Sequence, residues 1–434
     1  MNPIARQLNE ALEDTVVSSV LSDLGRRFYF PKGIVAQTGE AKKHASRHNA
    51  TVGMAFQGGE PLHLSGIRRE LPGLDPADIF AYSTTSGEPA LRSLWKEQMI
   101  RKNPGLANAK TSLPLVVSGL THGLSVTADL FADPDDPVIL PDLFWGNYRL
   151  IFAERRQARL ETFPFFGPTG GLNAEGLVSA VRAHAGGNGG PGKAVVLLNF
   201  PNNPTGYSPT RGEAEELLEA LAGLADEGFK LVVVTDDAYF GLFYEEQTYR
   251  ESLFAPLAAM HPNILAVKVD GTTKEDLSWG FRIGFLTFAS KGLSEEQYNA
   301  LERKTMGLIR ATISNASRPA QSLLIRGMRD GRYDQDKAAA FESLKRRYLR
   351  VRSILESTPP PSYLHALPFN SGYFMCFRSD RANAEEIRLQ LLHGEGIGTI
   401  SFDASTLRVA FSMPDEESLD EIYRTLFEVA EKLG

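Results

Sequence analysis

Residues 194–206 read AVVLLNFPNNPTG, so that the apolar run Ala194–Leu198 leads directly into the polar stretch Asn199–Gly206. A short run that is apolar on both faces is typical of a strand buried inside a parallel sheet. Asn-Pro-Thr-Gly is a turn by composition. This stretch therefore predicts a central strand whose carboxyl end opens into a polar loop.

Similar apolar runs lie on both sides of this stretch, at Leu115–Val117, Val138–Leu140, Leu231–Val234, Ile264–Val269 and Ile283–Phe288. Segments long enough for helices separate most of them. Strands that alternate with helices indicate a mostly parallel sheet with helices on both faces. The fold class predicted from this pattern is α/β.

The length of 434 residues indicates more than one domain, because single cores stop growing at roughly 250–300 residues. After Pro359–Pro361, short apolar runs alternate with amphipathic patterns, which favours a smaller α+β domain. We predict a large domain over residues 51–315 and a small C-terminal domain over residues 316–434. Residues 1–50 are predicted to form an N-terminal segment that packs with the small domain.

The composition excludes several kinds of partner. A net charge of -7 provides no basic surface for nucleic acid or for an anionic membrane. No stretch approaches the roughly 18 apolar residues of a membrane span, and Met1–Leu21 carries acids where a signal peptide needs an apolar core. Cys376 is the only cysteine, so we expect no disulfide, no metal site and a cytoplasmic location.

Polar residues that follow the strands are the candidates for chemistry, because ligands of open α/β sheets bind beyond the carboxyl ends of the strands. The candidate stretches are Ser118–Leu124, Phe144–Tyr148, Asn199–Gly206, Asp236–Tyr239 and Gly271–Lys274. Arg282 lies eight residues beyond Lys274. Each stretch alone has an ordinary structural explanation, and only their joint occurrence in this order is specific.

Together these motifs resemble the class I/II aminotransferases of the fold-type I enzymes that use pyridoxal 5'-phosphate (PLP), and aspartate aminotransferase among them. The resemblance runs from about Gly58 to Arg408. It implies a large PLP-binding domain and a homodimer with shared active sites. It also implies transfer of an amino group between an L-amino acid and a 2-oxo acid such as 2-oxoglutarate.

The resemblance implies a catalytic role for three residues. Lys274 resembles the lysine that holds PLP as a Schiff base, and Asp236 the partner of the pyridine nitrogen. Tyr239, together with Asn203, resembles the donors to the 3-oxygen of the ring. A carboxylate beside the ring nitrogen keeps it protonated, and a lysine displaced by substrate is a tethered base next to the α-carbon.

Other residues are assigned to the cofactor by the same resemblance. Leu120, Thr121 and His122 match the segment that binds the phosphate at a helix N-terminus, and Arg282 matches the phosphate arginine. Trp145 resembles the aromatic residue that stacks on the ring. Tyr82 matches a tyrosine that reaches the phosphate of the neighbouring subunit.

For the substrate, Arg408 resembles the arginine that binds the α-carboxylate, helped by Gly59, Asn203 and Trp145. Arginine suits this role because its forked N–H groups match a planar carboxylate. Arg310 resembles an arginine that, across the dimer interface, binds the distal carboxylate of aspartate or glutamate. The alternative is that Arg310 is an ordinary interface or surface arginine at the end of a helix.

Two alternatives stay open at this point. Other PLP reactions on the same fold, such as C–S β-elimination or decarboxylation, need much the same residues. A PLP-domain sensor without enzymatic activity is the second alternative, although no evident helix-turn-helix precedes the α/β domain.

Overall fold

The computed structural model describes residues 1–11, 26–27, 34–51, 53–187 and 190–434. Residues 12–25 and 28–33 of the predicted N-terminal segment lie outside the described residues. Residue 52 and residues 188–189 also lie outside them.

The strands in chain order are β1 (His48–Asn49), β2 (Phe56–Gln57), β3 (Glu60–Pro61), β4 (Leu115–Val117), β5 (Pro137–Pro141), β6 (Arg159–Phe163), β7 (Gly186–Gly187), β8 (Gly190–Pro191), β9 (Lys193–Asn199), β10 (Lys230–Asp236), β11 (Ile264–Gly271), β12 (Gly284–Ala289), β13 (Leu364–Ala366), β14 (Phe374–Ser379), β15 (Ile397–Gly398), β16 (Ile400–Ser401) and β17 (Thr406–Ala410).

The α-helices are α1 (Pro3–Ala11), α2 (Ile34–His44), α3 (Ser65–Glu70), α4 (Pro76–Ile79), α5 (Pro89–Lys102), α6 (Gly119–Phe131), α7 (Ala174–Ala185), α8 (Arg211–Asp226), α9 (Phe254–Leu257), α10 (Thr272–Glu275), α11 (Glu295–Thr312), α12 (Arg318–Arg329), α13 (Tyr333–Ser357), α14 (Ala384–Glu395) and α15 (Leu419–Leu433). A π-helical turn spans Arg149–Glu154.

The large sheet has seven strands in the order β4-β12-β11-β10-β9-β5-β6. The five strands from β11 to β6 run parallel, and β12 is antiparallel to both of its neighbours. Strands β9 and β10 are buried over nearly their whole length, as expected of strands covered on both faces. The predicted α/β class with a mostly parallel sheet is confirmed.

Strand β6 was not predicted from the sequence. It lies at the edge of the sheet and is only partly buried. An edge strand has one side without a neighbouring strand and does not need an uninterrupted apolar run. Because β6 contains polar residues, the pattern of apolar runs did not indicate it.

A smaller antiparallel sheet, in the order β13-β14-β17-β16, lies in the C-terminal part of the chain. Strand β1 from the N-terminal part pairs in parallel with β15. The side-chain amide of Gln37 on α2 also bonds the backbone of Ser401 on β16, through both its nitrogen and its oxygen. These contacts connect the two chain ends, while the proposed domain boundaries stay a prediction.

The register of the large sheet places chemically useful side chains at one edge. Asp236, the last residue of β10, is paired with Asn199 at the end of β9 and with Val269 on β11. The loops that follow these three parallel strands therefore leave the sheet side by side. In the part of the chain that the structure describes, no helix has the length and apolar character needed to cross a bilayer.

Candidate active site

A cavity of about 190 Å³ lies beyond the carboxyl ends of β9, β10 and β11. Most of the residues singled out in the sequence line it together. Its lining consists of Leu120, Thr121, Trp145, Tyr148, Asn199, Asn203, Asp236, Ala238, Tyr239, Thr273, Lys274 and Arg282.

A second, wider cavity of about 340 Å³ adjoins the first and shares six of these residues, including Lys274 and Arg282. It adds Arg408 and Phe374 from the small sheet and Thr38 from α2. The two cavities meet at Lys274, so a molecule in the outer cavity can reach the lysine and Arg408 together.

Arg282 and residues at the start of helix α6 line the same part of the inner cavity. Gly119, at the start of α6, has φ of 76°, and a side chain there would collide with the guanidinium of Arg282. The backbone of Arg282 itself adopts the left-handed conformation, with φ of 54°. The first N–H groups of a helix have no partner within it and carry partial positive charge. The arginine and the helix end therefore present positive charge to the same place.

Asp236, the last residue of β10, lines the same cavity and is almost fully buried. Its Oδ2 accepts a 2.6 Å hydrogen bond from the hydroxyl of Tyr148, and its Oδ1 accepts one from the backbone N–H of Ala238. Burial raises the pKa of Asp236 to about 6, although Tyr148 and Lys274 act in the opposite direction. Such a carboxylate is suited to a cationic partner.

Asn199 connects two of the motifs. Its Nδ2 donates to the carbonyl oxygen of Asp236 at 2.7 Å, and its Oδ1 accepts from the backbone N–H of Asn203 at 2.8 Å. Both bonds are local to the edge of the sheet. Asn199 therefore fixes the two loops that carry Asp236 and Asn203 relative to each other.

Lys274 lies one residue before the end of the short helix α10. Its Nζ is 4.8 Å from the centre of the Tyr239 ring, and its carbonyl oxygen accepts a hydrogen bond from the Tyr373 hydroxyl. Burial, with Arg282 adding to it, lowers the pKa of Lys274 to about 8, while Asp236 opposes this shift. The amine is thus closer to its neutral, nucleophilic form than a solvated lysine is.

Arg408, on β17, is buried and packs on the Phe374 ring at 4.3 Å. Its Nη1 donates to Oδ1 of Asn203 and its Nη2 to the carbonyl oxygen of Thr51, each at 2.9 Å. Its Nε is buried with no hydrogen-bond partner among the described residues. Because burial also lowers the pKa of Arg408, an anionic ligand would relieve the cost of this charge.

His122 does not line the cavity, which departs from the expectation that it binds a phosphate. Its Nδ1 accepts from the backbone N–H of Ser118, and its Nε2 lies 2.9 Å from the hydroxyl of Thr312. Thr312 already donates to Leu308, so His122 donates from Nε2. The imidazole points toward α11 because it lies one helical position beyond Thr121. The cavity lining contains Leu120 and Thr121 instead.

Gly59 also lies away from the cavity. It forms the exposed turn between β2 and β3, where a side chain would meet nothing within 4 Å. Gly53 lines the outer cavity in its place, and a side chain there would meet Phe374 and the Tyr239 hydroxyl. The β2–β3 hairpin turns Gly58 and Gly59 outward, away from the cavity.

Tyr82 and Arg310 lie outside both cavities of their own chain. The Tyr82 residue is 92% exposed, and Arg310 is exposed at the end of α11, where its Nη1 bonds the Ser314 hydroxyl at 2.5 Å. Both were expected to act on a neighbouring subunit, and that expectation stays a prediction.

Tyr148, Asn199 and Thr273 line the inner cavity and were not assigned a role from the sequence. Tyr148 follows Trp145 by three residues and donates its backbone N–H to the Trp145 carbonyl oxygen, and the two rings meet edge to face at 5.5 Å. The short spacing from Trp145 was the sequence feature that could have indicated Tyr148 as a lining residue. The signal for Asn199 was its position as the last residue of a strand.

The family model described as aminotransferase class I and II matches residues 56–426 of this chain. Mitochondrial aspartate aminotransferase of Schizosaccharomyces pombe is 24% identical over 248 residues, which cover 55% of this chain and 53% of that protein. The probable N-acetyl-LL-diaminopimelate aminotransferase of Bacillus subtilis is 24% identical over 360 residues, covering 80% and 81%. The chain spans about half the length of the aspartate aminotransferases that it matches.

Solved structures show the same fold over most of the chain. An aminotransferase from Anaerococcus prevotii has a TM-score of 0.82 at 23% identity and covers 92% of this chain and 97% of its own. An aspartate aminotransferase from Thermus thermophilus has a TM-score of 0.72 at 20% identity, covering 95% and 99%.

Proposed function

This chain belongs to the class I and II aminotransferases, whose cofactor is PLP, and from that premise we propose that it moves an amino group between an L-amino acid and a 2-oxo acid such as 2-oxoglutarate. The observation that carries the proposal is the meeting of the two cavities at Lys274, with Asp236 and Arg282 lining the inner one and Arg408 the outer one.

The residues of the inner cavity fit PLP. Arg282 and the start of α6 form an anion site for the phosphate, and the buried Asp236 suits a protonated ring nitrogen. The Thr273 hydroxyl is buried without a hydrogen-bond partner among the described residues. Leu120, Thr121 and Arg282 would hold the phosphate, Trp145 would cover the ring face, and Lys274 would bond the cofactor through Nζ.

When bound, PLP supplies an electron sink for the electron pair left on the substrate α-carbon. Lys274 would move the α-proton, because its amine is tethered at the junction of the cavities and its pKa is lowered to about 8. Asp236 would hold the proton on the ring nitrogen. Asn203 gives its Oδ1 to Arg408, which leaves its Nδ2 to donate, together with the Tyr239 hydroxyl, to the ring oxygen.

Arg408 would orient the substrate by its α-carboxylate. Among the described residues the two hydrogen-bond partners of Arg408 are neutral oxygens, of Asn203 and Thr51, so no carboxylate there matches its charge. A substrate carboxylate supplies that match with forked geometry. Trp145 and Gly53 line the same cavity and would limit the positions open to the substrate.

The active unit proposed here is a homodimer with shared sites. Phe80 is 82% exposed and Tyr82 is 92% exposed, close together on the segment after α4. Large aromatic residues exposed side by side favour a protein interface. A second subunit covering them would bring Tyr82 to the partner's phosphate end. The single cysteine supports a cytoplasmic location.

The preferred amino donor proposed is a dicarboxylic amino acid, aspartate or glutamate. Support comes from Arg310, whose exposed guanidinium contacts Ser314 and takes part in no ion pair among the described residues. The relatives named above bear the names of different transaminases, so their names alone do not choose a substrate.

The test is to load the purified protein with PLP and to incubate it with single amino acids and 2-oxoglutarate. We expect glutamate and the matching 2-oxo acid to form in equal amounts. Release of hydrogen sulfide and pyruvate from cysteine, or of carbon dioxide, without glutamate would instead assign a β-lyase or a decarboxylase. No product with any donor, despite bound PLP, would favour the sensor alternative.

A further inference from the structure

Two acidic residues directly follow Lys274, and both are tied to lysines from other helices. Glu275 accepts from Lys102 Nζ at 2.8 Å and from Lys337 Nζ at 2.8 Å. Asp276 Oδ1 lies 2.8 Å from the same Lys337 Nζ and accepts from the Tyr333 hydroxyl at 2.8 Å. Lys337 therefore holds both acids at once.

The cluster is buried and its charges balance. The side chain of Asp276 is 0% exposed, that of Glu275 is 11% exposed and that of Lys337 is 17% exposed. Two carboxylates face the two ammonium groups of Lys102 and Lys337. Although burial acts against ionisation, Lys102 and Lys337 hold the pKa of Glu275 well below its usual range, so the acid stays charged throughout the neutral range.

The cluster joins elements that are distant in sequence. Lys102 ends α5, and Tyr333 and Lys337 lie in the first turns of α13. Gly241, in the loop that follows Asp236, has φ of 90°, and a side chain there would meet Glu275 at 3.3 Å. The segments that follow Asp236 and Lys274 therefore both lie against the same ionic cluster.

Helix α10, which carries Lys274, is not closely packed on the side that faces α13. A cavity of about 210 Å³ separates α10 and the residues after it from α13. Lys274, Leu277, Lys337 and Phe341 are among the residues that line it. Because apolar side chains do not fill this gap, the polar contacts of Lys337 connect Glu275 and Asp276 to α13. Further along the same helix, Arg347 donates to the carbonyl oxygens of Phe56 and Ser412.

We propose that Lys337 is a positioning residue for Lys274: it anchors Glu275 and Asp276 to α13, so that Lys274 Nζ faces Asp236 in a site whose charge is balanced. The proposal rests on the proposed function, in which Lys274 carries the cofactor. Lys337 touches neither cofactor nor substrate and acts through the two acids.

The test uses the PLP-loaded protein and follows the pH midpoint of its visible absorption band. Lys337→Met leaves one unmatched negative charge beside Lys274, which favours the protonated form and should raise the midpoint by roughly 0.5–1 unit. Glu275→Gln leaves one unmatched positive charge and should lower it by a similar amount. The Glu275→Gln/Lys337→Met protein is balanced again and should return close to the original midpoint.

The groups that otherwise act on Lys274 are the same in all variants. They are Asp236 and Arg282, with the Tyr239 ring at 4.8 Å and the Tyr373 hydroxyl on the Lys274 carbonyl. Lys337→Arg should keep the midpoint close to that of the wild type, since it keeps the charge and the donors. Lys345→Met on the same helix is the control, because Lys345 makes no ion pair among the described residues.

Shifts of opposite sign cannot come from general loosening of the fold, which would move the midpoint the same way in every variant. Equal midpoints in all variants, or shifts of one sign, would overturn the positioning role. If Lys337→Met does not fold, Glu275→Gln and the double variant still decide the question. Borohydride labelling of Lys274 separates the two proposals, because an unlabelled Lys274 contradicts the proposed function itself.

Discussion

The phenol of Tyr148 donates a 2.6 Å hydrogen bond to Oδ2 of Asp236, and both side chains are buried at the carboxyl edge of the large sheet. This bond lowers the pKa of Asp236 against the effect of burial, which on balance raises it to about 6. Burial and the neighbouring carboxylate raise the pKa of Tyr148, so the tyrosine stays a donor. The pair therefore favours an ionised Asp236 at neutral pH.

Tyr148→Phe should raise the pKa of Asp236 further and weaken its pairing with the cofactor. A hydrogen bond to a charged group contributes about 1.5–3 kcal/mol, which corresponds to a roughly ten- to hundredfold loss of PLP affinity. Equilibrium dialysis with PLP measures this loss. Tyr207→Phe is the matched control, because Tyr207 also donates to a carboxylate, that of Glu213, outside both cavities. Equal losses in both variants would contradict a role for Tyr148 at the site.

Lys274 should be the residue that carries PLP. Borohydride treatment of the PLP-loaded protein should fix the cofactor on the peptide that contains Lys274, and mass spectrometry identifies that peptide. Lys274→Ala should still bind PLP without a covalent bond but should lose turnover, because the anchor and the base are both removed. Label on another lysine would show that the site assignment is wrong.

Asp236→Asn should make the cofactor-free protein more stable at neutral pH. The native carboxyl group, with its pKa near 6, still holds a proton at pH values where the unfolded chain has released it. The stability that Asp236 contributes to the wild type is therefore lost as the pH rises from about 4 to 6, and the full loss is present above that range. At pH 7.5 the variant should gain roughly 2–3 kcal/mol over the wild type, and close to none at pH 4.

Urea unfolding of both proteins at the two pH values measures this difference, and a gain independent of pH would contradict it. The variants should nevertheless turn over substrate more slowly than the wild type. Asp236→Ala and Asp236→Asn leave the ring nitrogen largely unprotonated, so proton abstraction should slow far more than substrate binding weakens. Near-normal turnover in either variant would show that another group protonates the ring.

Arg310→Ala should affect only dicarboxylic substrates. A carboxylate left without its arginine in a buried site costs about 3–5 kcal/mol, so kcat/KM for aspartate and glutamate should fall by roughly two to four orders of magnitude. Rates with alanine and phenylalanine should hardly change. Arg408→Ala is the comparison, since it should damage every substrate through the shared α-carboxylate. An equal effect of Arg310→Ala on phenylalanine would make Arg310 structural.

Hybrid dimers should recover activity if the sites are shared between subunits. Lys274→Ala subunits and Tyr82→Phe/Arg310→Ala subunits are each expected to be impaired alone. In a mixed dimer one of the two sites has all its residues intact, so part of the activity should return. Differently tagged subunits allow the hybrids to be isolated. Verified hybrids without recovery, or a fully active monomer, would exclude shared sites.

The sequence by itself determined the α/β class and most of the cavity lining. Apolar runs mark buried strands, and the carboxyl ends of parallel strands meet at one edge, so Asn203, Asp236 and Lys274 could be placed together from their order alone. Strand β6 was not predicted, because an edge strand does not need to be apolar.

Tertiary structure alone decided the side-chain directions and the partners that come from distant segments. His122 points to Thr312 on α11, and Gly59 lies on an exposed turn while Gly53 reaches the cavity. The bonds from Tyr148 to Asp236 and from Lys337 to Glu275 span 88 and 62 positions in the chain. Local patterns fix helix and strand periodicity, whereas such contacts depend on how whole elements pack, which no short stretch of sequence encodes.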